Sequence, residues 1–294
     1  MVHRILIVTA VAAEADSVSA GLGLGAPELL PLPGGLVLRR HTDGPVRVDV
    51  LVGGVGPAAV AAATGTALAY AALTGSGPSA GTGSGPSAGT GSGPSAGTGS
   101  GPSAGTGSGS STGTGTATAT ATATPYSLAV SAGIAGGFQP LAPLGSVVVS
   151  SAVVAADLGA QTPDGYLTVD ELGFGRAVHP VPEALTGRIA AALDAAGVPY
   201  TVGPVLTVST VTGTADRAAE LAGRHPGAAA EAMEGFGVAE AAAAYGVPVV
   251  EIRAVSNAVG PRDRAAWRIG EALHALRHTS ELLSKTVFME LEPS

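Results

Sequence analysis

Short apolar runs alternate with helix-forming segments along this chain, and the alternation restricts the fold more than any other feature. The runs are rich in aliphatic residues and lie at 3–10, 39–52, 126–133, 144–156, 205–209 and within 245–257. Strands that are apolar on both faces are typical of sheets covered on both sides. We therefore predict an α/β fold with three αβα layers and a central mixed, mostly parallel sheet.

Five of the predicted strands end in small or polar residues. These ends are Thr9-Ala10, 53–56, 133–137, 209–214 and 256–257. In open α/β sheets, ligands bind at the carboxyl ends of the strands. The pattern thus predicts a binding site at this edge of the sheet.

A low-complexity segment interrupts the pattern. The octapeptide Gly-Ser-Gly-Pro-Ser-Ala-Gly-Thr occurs four times in 75–106, and 107–124 continues as Ser, Gly and Thr followed by alternating Ala and Thr. With no charge and little to bury, residues 74–124 are predicted to form a disordered insertion within a single domain spanning 1–294. The Ala-Thr alternation leaves an edge strand open as the alternative.

Composition and motifs exclude several classes of function. The formal charge is −8 and Lys285 is the one lysine, which argues against a nucleic-acid partner. The chain has no cysteine, so disulfides, thiolate metal sites and cysteine nucleophiles are excluded. His274 and His278 lie one helical turn apart, but no further ligand accompanies them. No dinucleotide or P-loop fingerprint is present, so we expect neither a metal nor a cofactor.

Two segments raise the question of a membrane. Residues 1–20 resemble a signal peptide superficially, but Glu14 and Asp16 follow a short apolar run, which favours a buried first strand. Residues 55–73 are uncharged, yet they consist mainly of Ala, Gly and Thr and contain Pro57. We expect no membrane association and a cytoplasmic protein.

Four polar side chains map to the strand ends. Glu14 lies in the first predicted helix, Glu234 in the first turn of a predicted helix over 231–240, and Asn257 just past a strand that also carries Arg253. Taken singly, the carboxylates could favour helix N-termini and Asn257 could be a turn residue. Their convergence on one edge of the sheet favours a functional site.

Five short segments carry a family resemblance across nearly the whole chain outside the insertion. They are the Ala10–Glu14 segment, Gly-Val-Gly at 54–56, Gly-Ile-Ala-Gly-Gly-Phe at 133–138, Ala-Met-Glu-Gly at 232–235 and Ile-Arg-Ala-Val-Ser-Asn at 252–257. In this order they resemble the purine nucleosidases of the nucleoside phosphorylase/hydrolase superfamily. The resemblance implies a nucleoside substrate, water as the second reactant and a homo-oligomer.

The resemblance also implies roles for individual residues. Glu14 matches the carboxylate that activates water, Glu234 the group that grips the ribose hydroxyls, and Met233 the methionine under the sugar. The remaining substrate-binding positions it implies are Gly56, Gly136, Arg253 and Trp267, the last as the aromatic that covers the 5′ substituent.

Asn257 departs from the family pattern, because the adenine-cleaving members have an aspartic acid there. An ionised carboxylate repels a 6-oxo group, whereas an amide can donate to N7 or O6 of the base. Asn257 therefore indicates a hypoxanthine-type leaving base and, as a hydrogen-bonding residue, a catalytic role beside Glu14.

Two alternatives remain open. The first is a phosphorylase that uses phosphate instead of water, although the glycine loop carries Ile134 where a phosphate site would favour Ser or Thr. The second is a nucleoside-binding protein without catalysis, which would have no need of a water-activating base.

Overall fold

The computed structural model describes residues 3–44, 46–75 and 126–291. Twelve strands are described: β1 (His3–Thr9), β2 (Glu28–Pro31), β3 (Val37–Asp43), β4 (Val46–Val52), β5 (Leu128–Gly137), β6 (Val147–Ala155), β7 (Gly159–Thr162), β8 (Gly165–Thr168), β9 (Val178–Pro180), β10 (Tyr200–Thr207), β11 (Ala230–Ala232) and β12 (Val249–Ala258). The α-helices are α1 (Ala12–Leu22), α2 (Pro57–Gly75), α3 (Glu183–Ala195), α4 (Ala215–Arg224), α5 (Gly235–Ala244) and α6 (Ile269–Lys285).

One mixed sheet organises the described chain, in the order β11-β10-β6-β12-β5-β1-β4-β3-β2, with β9 beside β6. The apolar strand β1 lies between β4 and β5 and runs parallel to both, with Ile5 opposite Val48 and Leu128. Antiparallel pairings add β3 and β2 at one end of the sheet. The mixed α/β sheet predicted from the alternating pattern is confirmed.

A second contact of β5 closes part of this sheet on itself. At its carboxyl end β5 pairs antiparallel with β11, with Gly137 opposite Ala230 and Gly136 opposite Glu231. Strands β5, β12, β6, β10 and β11 therefore form a closed ring. Short alanine and valine side chains from these strands pack together, among them Ala135, Val148 and Val205.

The helices pack in pairs against the sheet, α1 with α6 and α2 with α5. Gly21 permits the first contact, because a Cβ atom there would overlap the carbonyl oxygen of Arg277. Gly237 permits the second contact in the same way, against the carbonyl of Pro57. Among the described helices, α2 is long and apolar enough over 57–74 to meet a length-and-composition criterion for a membrane span. Such a stretch is weak evidence, because core helices of globular proteins meet the same criterion.

Several predicted boundaries are wrong. Residues 133–137 are not a loop but the end of β5, and Asn257 lies within β12, not past it. The segment predicted as a helix from Glu231 begins with β11, and Glu234 lies at the N-cap of α5, not in its first turn. Alanine and glutamate are good helix formers, but hydrogen bonds to β10 and β5 hold residues 230–232 extended.

The predicted insertion lies almost entirely outside the described residues. Its first two positions, 74 and 75, belong to α2. The octapeptide repeats and the alternating Ala-Thr segment lie in the part of the chain that is not described.

Candidate active site

A cavity of about 400 Å³ opens at the carboxyl ends of β1, β5, β10 and β12, at the edge that the strand-end pattern predicts. This volume lies within the range of small-molecule sites, roughly 300–1,000 Å³. Its lining is mostly apolar with a few polar groups: Ala10, Val11, Glu14, Val55, Ile134, Ala135, Gly136, Val211, Thr212, Glu231, Ala232, Met233, Glu234, Ser256, Asn257, Val259 and Trp267.

Glu14 is held by backbone amides in the floor of the cavity. As the third residue of α1 it reaches back, and its Oε2 accepts from the N–H groups of Ala10 at 2.9 Å and Val11 at 3.2 Å. Its Oε1 accepts from the N–H of Ile134 at 2.9 Å, across from β5. A carboxylate offers about four lone-pair directions. One direction on Oε1 is therefore left for a reactant.

Glu234 lies beside Met233 where β11 passes into α5. Its Oε2 accepts from the N–H of Met233 at 3.3 Å, and its Oε1 lies 3.5 Å from the N–H of Gly56. Gly56 has a φ of +94°, which favours glycine because a side chain is strained there. Gly56 is not among the cavity-lining residues and contacts the site through this amide.

Arg253 forms the centre of a buried ion network behind the cavity. It is 1% exposed, and its guanidinium lies 3.1 Å from Glu234 and 2.8 Å from Glu251. Burial alone would lower the pKa of Arg253, but the carboxylates of Glu251, Glu234 and Glu14 together hold that pKa above its usual value. Burial raises the pKa of Glu251, against the effect of Arg253. Arg253 thus remains cationic among three acids.

Arg253 is expected to contact the substrate directly, but it is absent from the cavity lining. Its position opposite Gly133 in the sheet register puts it on one face of β12. A shift in the register between Val255 and Asn257 then places Asn257 opposite Gly136, on the other face. A bulge of one residue reverses the side-chain alternation of a strand, so the two side chains separate.

Asn257 points its amide into the cavity beside Gly136. Its Oδ1 accepts from the hydroxyl of Ser256 at 2.9 Å, and its Nδ2 donates to the carbonyl of Ala258 at 2.9 Å. An amide nitrogen carries two hydrogens, so one remains for a ligand. A Cβ atom on Gly136 would lie 3.2 Å from this nitrogen, so glycine leaves the space in front of the amide open.

Trp267 reaches the cavity because it lies in a break between a short helical turn and α6. A 3-10 turn covers Arg264–Ala266, Trp267 is extended, and α6 begins only at Ile269. The N–H of Arg268 donates to the carbonyl of Ser256 at 2.8 Å, which ties this break to the end of β12. The guanidinium of Arg262 lies 5.5 Å from the centre of the Trp267 ring.

Glu231 is a site residue to which the sequence motifs assign no role. It is 5% exposed and lines the cavity opposite Gly136. Its Oε1 accepts from the N–H of Thr212 at 2.9 Å, and its Oε2 accepts a short hydrogen bond from the Thr212 hydroxyl. The run of apolar residues around Glu231 suggested only a helix, so nothing in the sequence pattern distinguished it.

Six of the eight predicted site residues line the cavity, namely Glu14, Gly136, Met233, Glu234, Asn257 and Trp267, while Gly56 and Arg253 contact Glu234 from behind. The described lining contains neither lysine nor arginine. Within the described residues, no group of three His, Asp or Glu side chains is arranged to hold a metal ion.

Solved structures of similar shape show which fold the chain has. The 5′-methylthioadenosine/S-adenosylhomocysteine nucleosidase of Helicobacter pylori matches with a TM-score of 0.68 at 16% identity, covering 98% of each chain. The native futalosine hydrolase of Helicobacter pylori matches with a TM-score of 0.67 at 15% identity, also covering 98% of each chain. The chain therefore shares the fold of these two enzymes.

Sequence comparison then gives the family. Residues 104–287 match the phosphorylase superfamily. The futalosine hydrolase of Streptomyces coelicolor is 48% identical over 93% of this chain and 92% of its own length, and that of Acidothermus cellulolyticus is 39% identical over 93% and 87%. The chain belongs to the phosphorylase superfamily and, within it, to the futalosine hydrolase family. The resemblance to the purine nucleosidases of this superfamily is thereby confirmed.

Proposed function

We propose that this enzyme hydrolyses the N-glycosidic bond of futalosine, releasing hypoxanthine and the dehypoxanthine sugar product. The reaction belongs to menaquinone biosynthesis by the futalosine route. One observation carries the catalytic part of the proposal: Glu14 is fixed by three backbone amides yet keeps an acceptor position open towards the cavity. The two futalosine hydrolases similar over most of the chain support the choice of substrate.

Glu14 acts as the general base. Its Oε1 accepts a proton from water while the water oxygen bonds to the anomeric carbon of the ribose. The glycosidic C–N bond breaks and its electron pair leaves with the base, which takes its proton from solvent. The remaining Nδ2 hydrogen of Asn257 stabilises the negative charge that develops on the departing 6-oxopurine.

The sugar is held by a different set of side chains from the base. Glu234 accepts from the ribose hydroxyls, Met233 lies under the sugar, and Trp267 covers the 5′ substituent. This arrangement is supported by the presence of all three side chains in one cavity lining with Glu14 and Asn257. Arg253 and Gly56 act through Glu234, because both contact its carboxylate without lining the cavity.

Hydrolysis is favoured over phosphorolysis by the charge of the cavity. Phosphate sites use charge-assisted hydrogen bonds from several Arg or Lys side chains. The described lining has none of these, and the position facing Glu14 is occupied by Ile134.

The test is the release of free base from four nucleosides: futalosine, aminofutalosine, inosine and methylthioadenosine. Each is incubated with the enzyme with and without inorganic phosphate. We expect hypoxanthine release from futalosine, at the same rate in both buffers. Release that depends on phosphate would identify a phosphorylase, and binding without release of any base would identify a non-catalytic binder.

We also propose that the chain works as a cytoplasmic homo-oligomer and that 1–294 is one domain with an inserted segment. The homo-oligomer is the expectation that the family resemblance implies. The absence of cysteine is compatible with a reducing compartment. Light scattering of the purified protein tests the oligomer.

A further inference from the structure

Glu231 is the one acid in the described cavity lining to which the cleavage chemistry gives no task. Glu14 and Glu234 are the other two lining acids. Glu231 is 5% exposed, and a buried carboxylate is costly to keep without partners. Thr212 supplies two hydrogen bonds, one from its N–H and one from its hydroxyl. Two of the roughly four acceptor directions of the carboxylate are left over.

The strand register places Glu231 and Asn257 on either side of one glycine. Glu231 on β11 and Asn257 on β12 are both paired with Gly136 on β5. Residues directly opposite each other in a sheet point to the same face, so both side chains project from the same face, roughly 10 Å apart at their Cα atoms. Gly136 contributes no side chain to the gap between them, and the atom nearest to the position of its missing Cβ is Cγ2 of Val259, at 3.0 Å.

The chemistry of this gap is asymmetric. On one side, Asn257 has an N–H free to donate. On the other side, Glu231 offers acceptor oxygens, and no lysine or arginine in the described lining competes for them. A 6-oxopurine carries an acceptor at O6 and an N–H at N1, whereas a 6-aminopurine has a lone pair at N1. With Asn257 donating to O6 and Glu231 accepting from N1–H, a 6-oxo base complements both sides of the gap. A 6-amino base in the same orientation sets its amino group against the Asn257 N–H and its N1 lone pair against the carboxylate.

We propose that Glu231 is a specificity-determining residue, whose carboxylate accepts a hydrogen bond from the ring N1–H of a 6-oxopurine while Asn257 donates to the neighbouring O6. This proposal rests on the proposed function, because it concerns the base that this site releases. The pair Glu231 and Asn257, spaced by Gly136, is then the base clamp of the enzyme.

A purely structural role is the competing explanation. Through Thr212, Glu231 anchors the segment 209–214, and loss of that anchor would disturb any substrate equally. The two explanations differ in the ratio of kcat/KM for the 6-oxo substrate to kcat/KM for the 6-amino substrate. Loss of an anchor leaves this ratio unchanged, whereas loss of a hydrogen bond to N1 changes it.

The experiment compares wild type, Glu231→Gln and the control Asp157→Ala, using futalosine and aminofutalosine as the matched substrates. The Gln amide can donate to the N1 lone pair of the amino substrate. We expect Glu231→Gln to shift the ratio of kcat/KM values towards aminofutalosine by about 10-fold or more. Asp157→Ala removes the hydrogen bond from the N–H of Ser209, which anchors the same segment from outside the cavity lining, and should leave the ratio unchanged. An unchanged ratio in Glu231→Gln would overturn the proposal.

Binding of free bases separates this proposal from the proposed function and does not depend on the variants. Calorimetry of the wild-type enzyme with hypoxanthine, 1-methylhypoxanthine and adenine should show a loss of affinity of about 10-fold or more when N1–H is absent. Equal affinities would refute the role of Glu231 even if futalosine is turned over. Selective hypoxanthine binding without futalosine turnover would instead refute only the proposed reaction.

Discussion

The guanidinium of Arg253 lies 3.1 Å from the carboxylate of Glu234, behind the wall of the cavity. The same guanidinium pairs with Glu251 at 2.8 Å, so one buried cation serves two acids. Its Nη2 also donates to the hydroxyl of Ser131 at 3.1 Å. The ribose-binding glutamate is therefore oriented by an interior ion network and not by groups on the cavity surface.

Removing the buried cation should destabilise the fold. Arg253→Met would leave Glu234 and Glu251 without their counter-ion, and breaking a buried pair in this way costs about 3–5 kcal/mol. Urea denaturation followed by circular dichroism measures the loss. Arg268→Met is the matched control, because the exposed Arg268 pairs only with the exposed Glu271 and its loss should cost about 0.5 kcal/mol or less. Equal stability of the two variants would contradict the importance of the network.

Loss of the general base should abolish turnover without unfolding the chain. Glu14→Gln keeps the shape of the side chain but cannot take a proton, so we expect kcat to fall by about 10² or more. Asp16→Asn serves as the control in the same helix, since its exposed carboxylate pairs with Arg39 away from the cavity. Hypoxanthine release is the measurement. Turnover of Glu14→Gln near the wild-type rate would exclude Glu14 as the base.

Asn257 should determine which purine leaves. Asn257→Asp places a carboxylate opposite a 6-oxo group, and a mismatched polar contact in a binding site can cost several orders of magnitude. We expect the rate on futalosine to fall relative to that on aminofutalosine, both measured as kcat/KM. If the ratio of the two stays at its wild-type value, Asn257 does not contact the base.

Gly133 should be required for the geometry around Glu14. A Cβ atom there would lie 2.5 Å from Glu14 Oε1 and 2.5 Å from Arg253 Nη1, closer than such atoms can approach. Gly133→Ala should therefore displace the base and lower kcat by about 10-fold or more. Gly187→Ala in α3 meets no atom within 4 Å and should leave kcat unchanged while gaining up to about 1 kcal/mol of stability. Similar kcat values for both variants would argue against the contact.

The selectivity of the base clamp should depend on pH. Burial raises the pKa of Glu231 above its usual 4.5. The hydrogen bonds from Thr212 and the charge of Arg217 lower this pKa, and the charge of Asp157 adds to the rise. Since the folded pKa is raised, the stability linked to the protonated form is present below 4.5 and is lost as pH rises through the folded value. Base recognition has the opposite pH dependence, because the ionised carboxylate accepts a hydrogen bond from N1–H. The preference for hypoxanthine over adenine in calorimetry should thus weaken as pH falls through this pKa, and a pH-independent preference would count against it.

Much of the fold was predictable from local pattern. The apolar runs mark β1, β4, β5, β6, β10 and β12, and Pro57 together with the alanine-rich segment after it marks α2. Such runs need no long-range information, since a strand buried on both faces must be apolar along its length. The short strands β2, β7, β8, β9 and β11 were missed, because three or four residues carry too little periodicity to be recognised.

The family motifs, the strand-end edge of the site and the choice of Glu14, Glu234 and Asn257 could be inferred from the residues alone. Which polar groups share a face depends on how distant strands pair. The register shift in β12 turns Asn257 towards the cavity and leaves Arg253 behind it, and the pairing of β11 with β5 brings Glu231 opposite Gly136. Bulges and non-local strand pairing arise from hydrogen bonds between distant segments. The residue pattern within one segment therefore does not predict them.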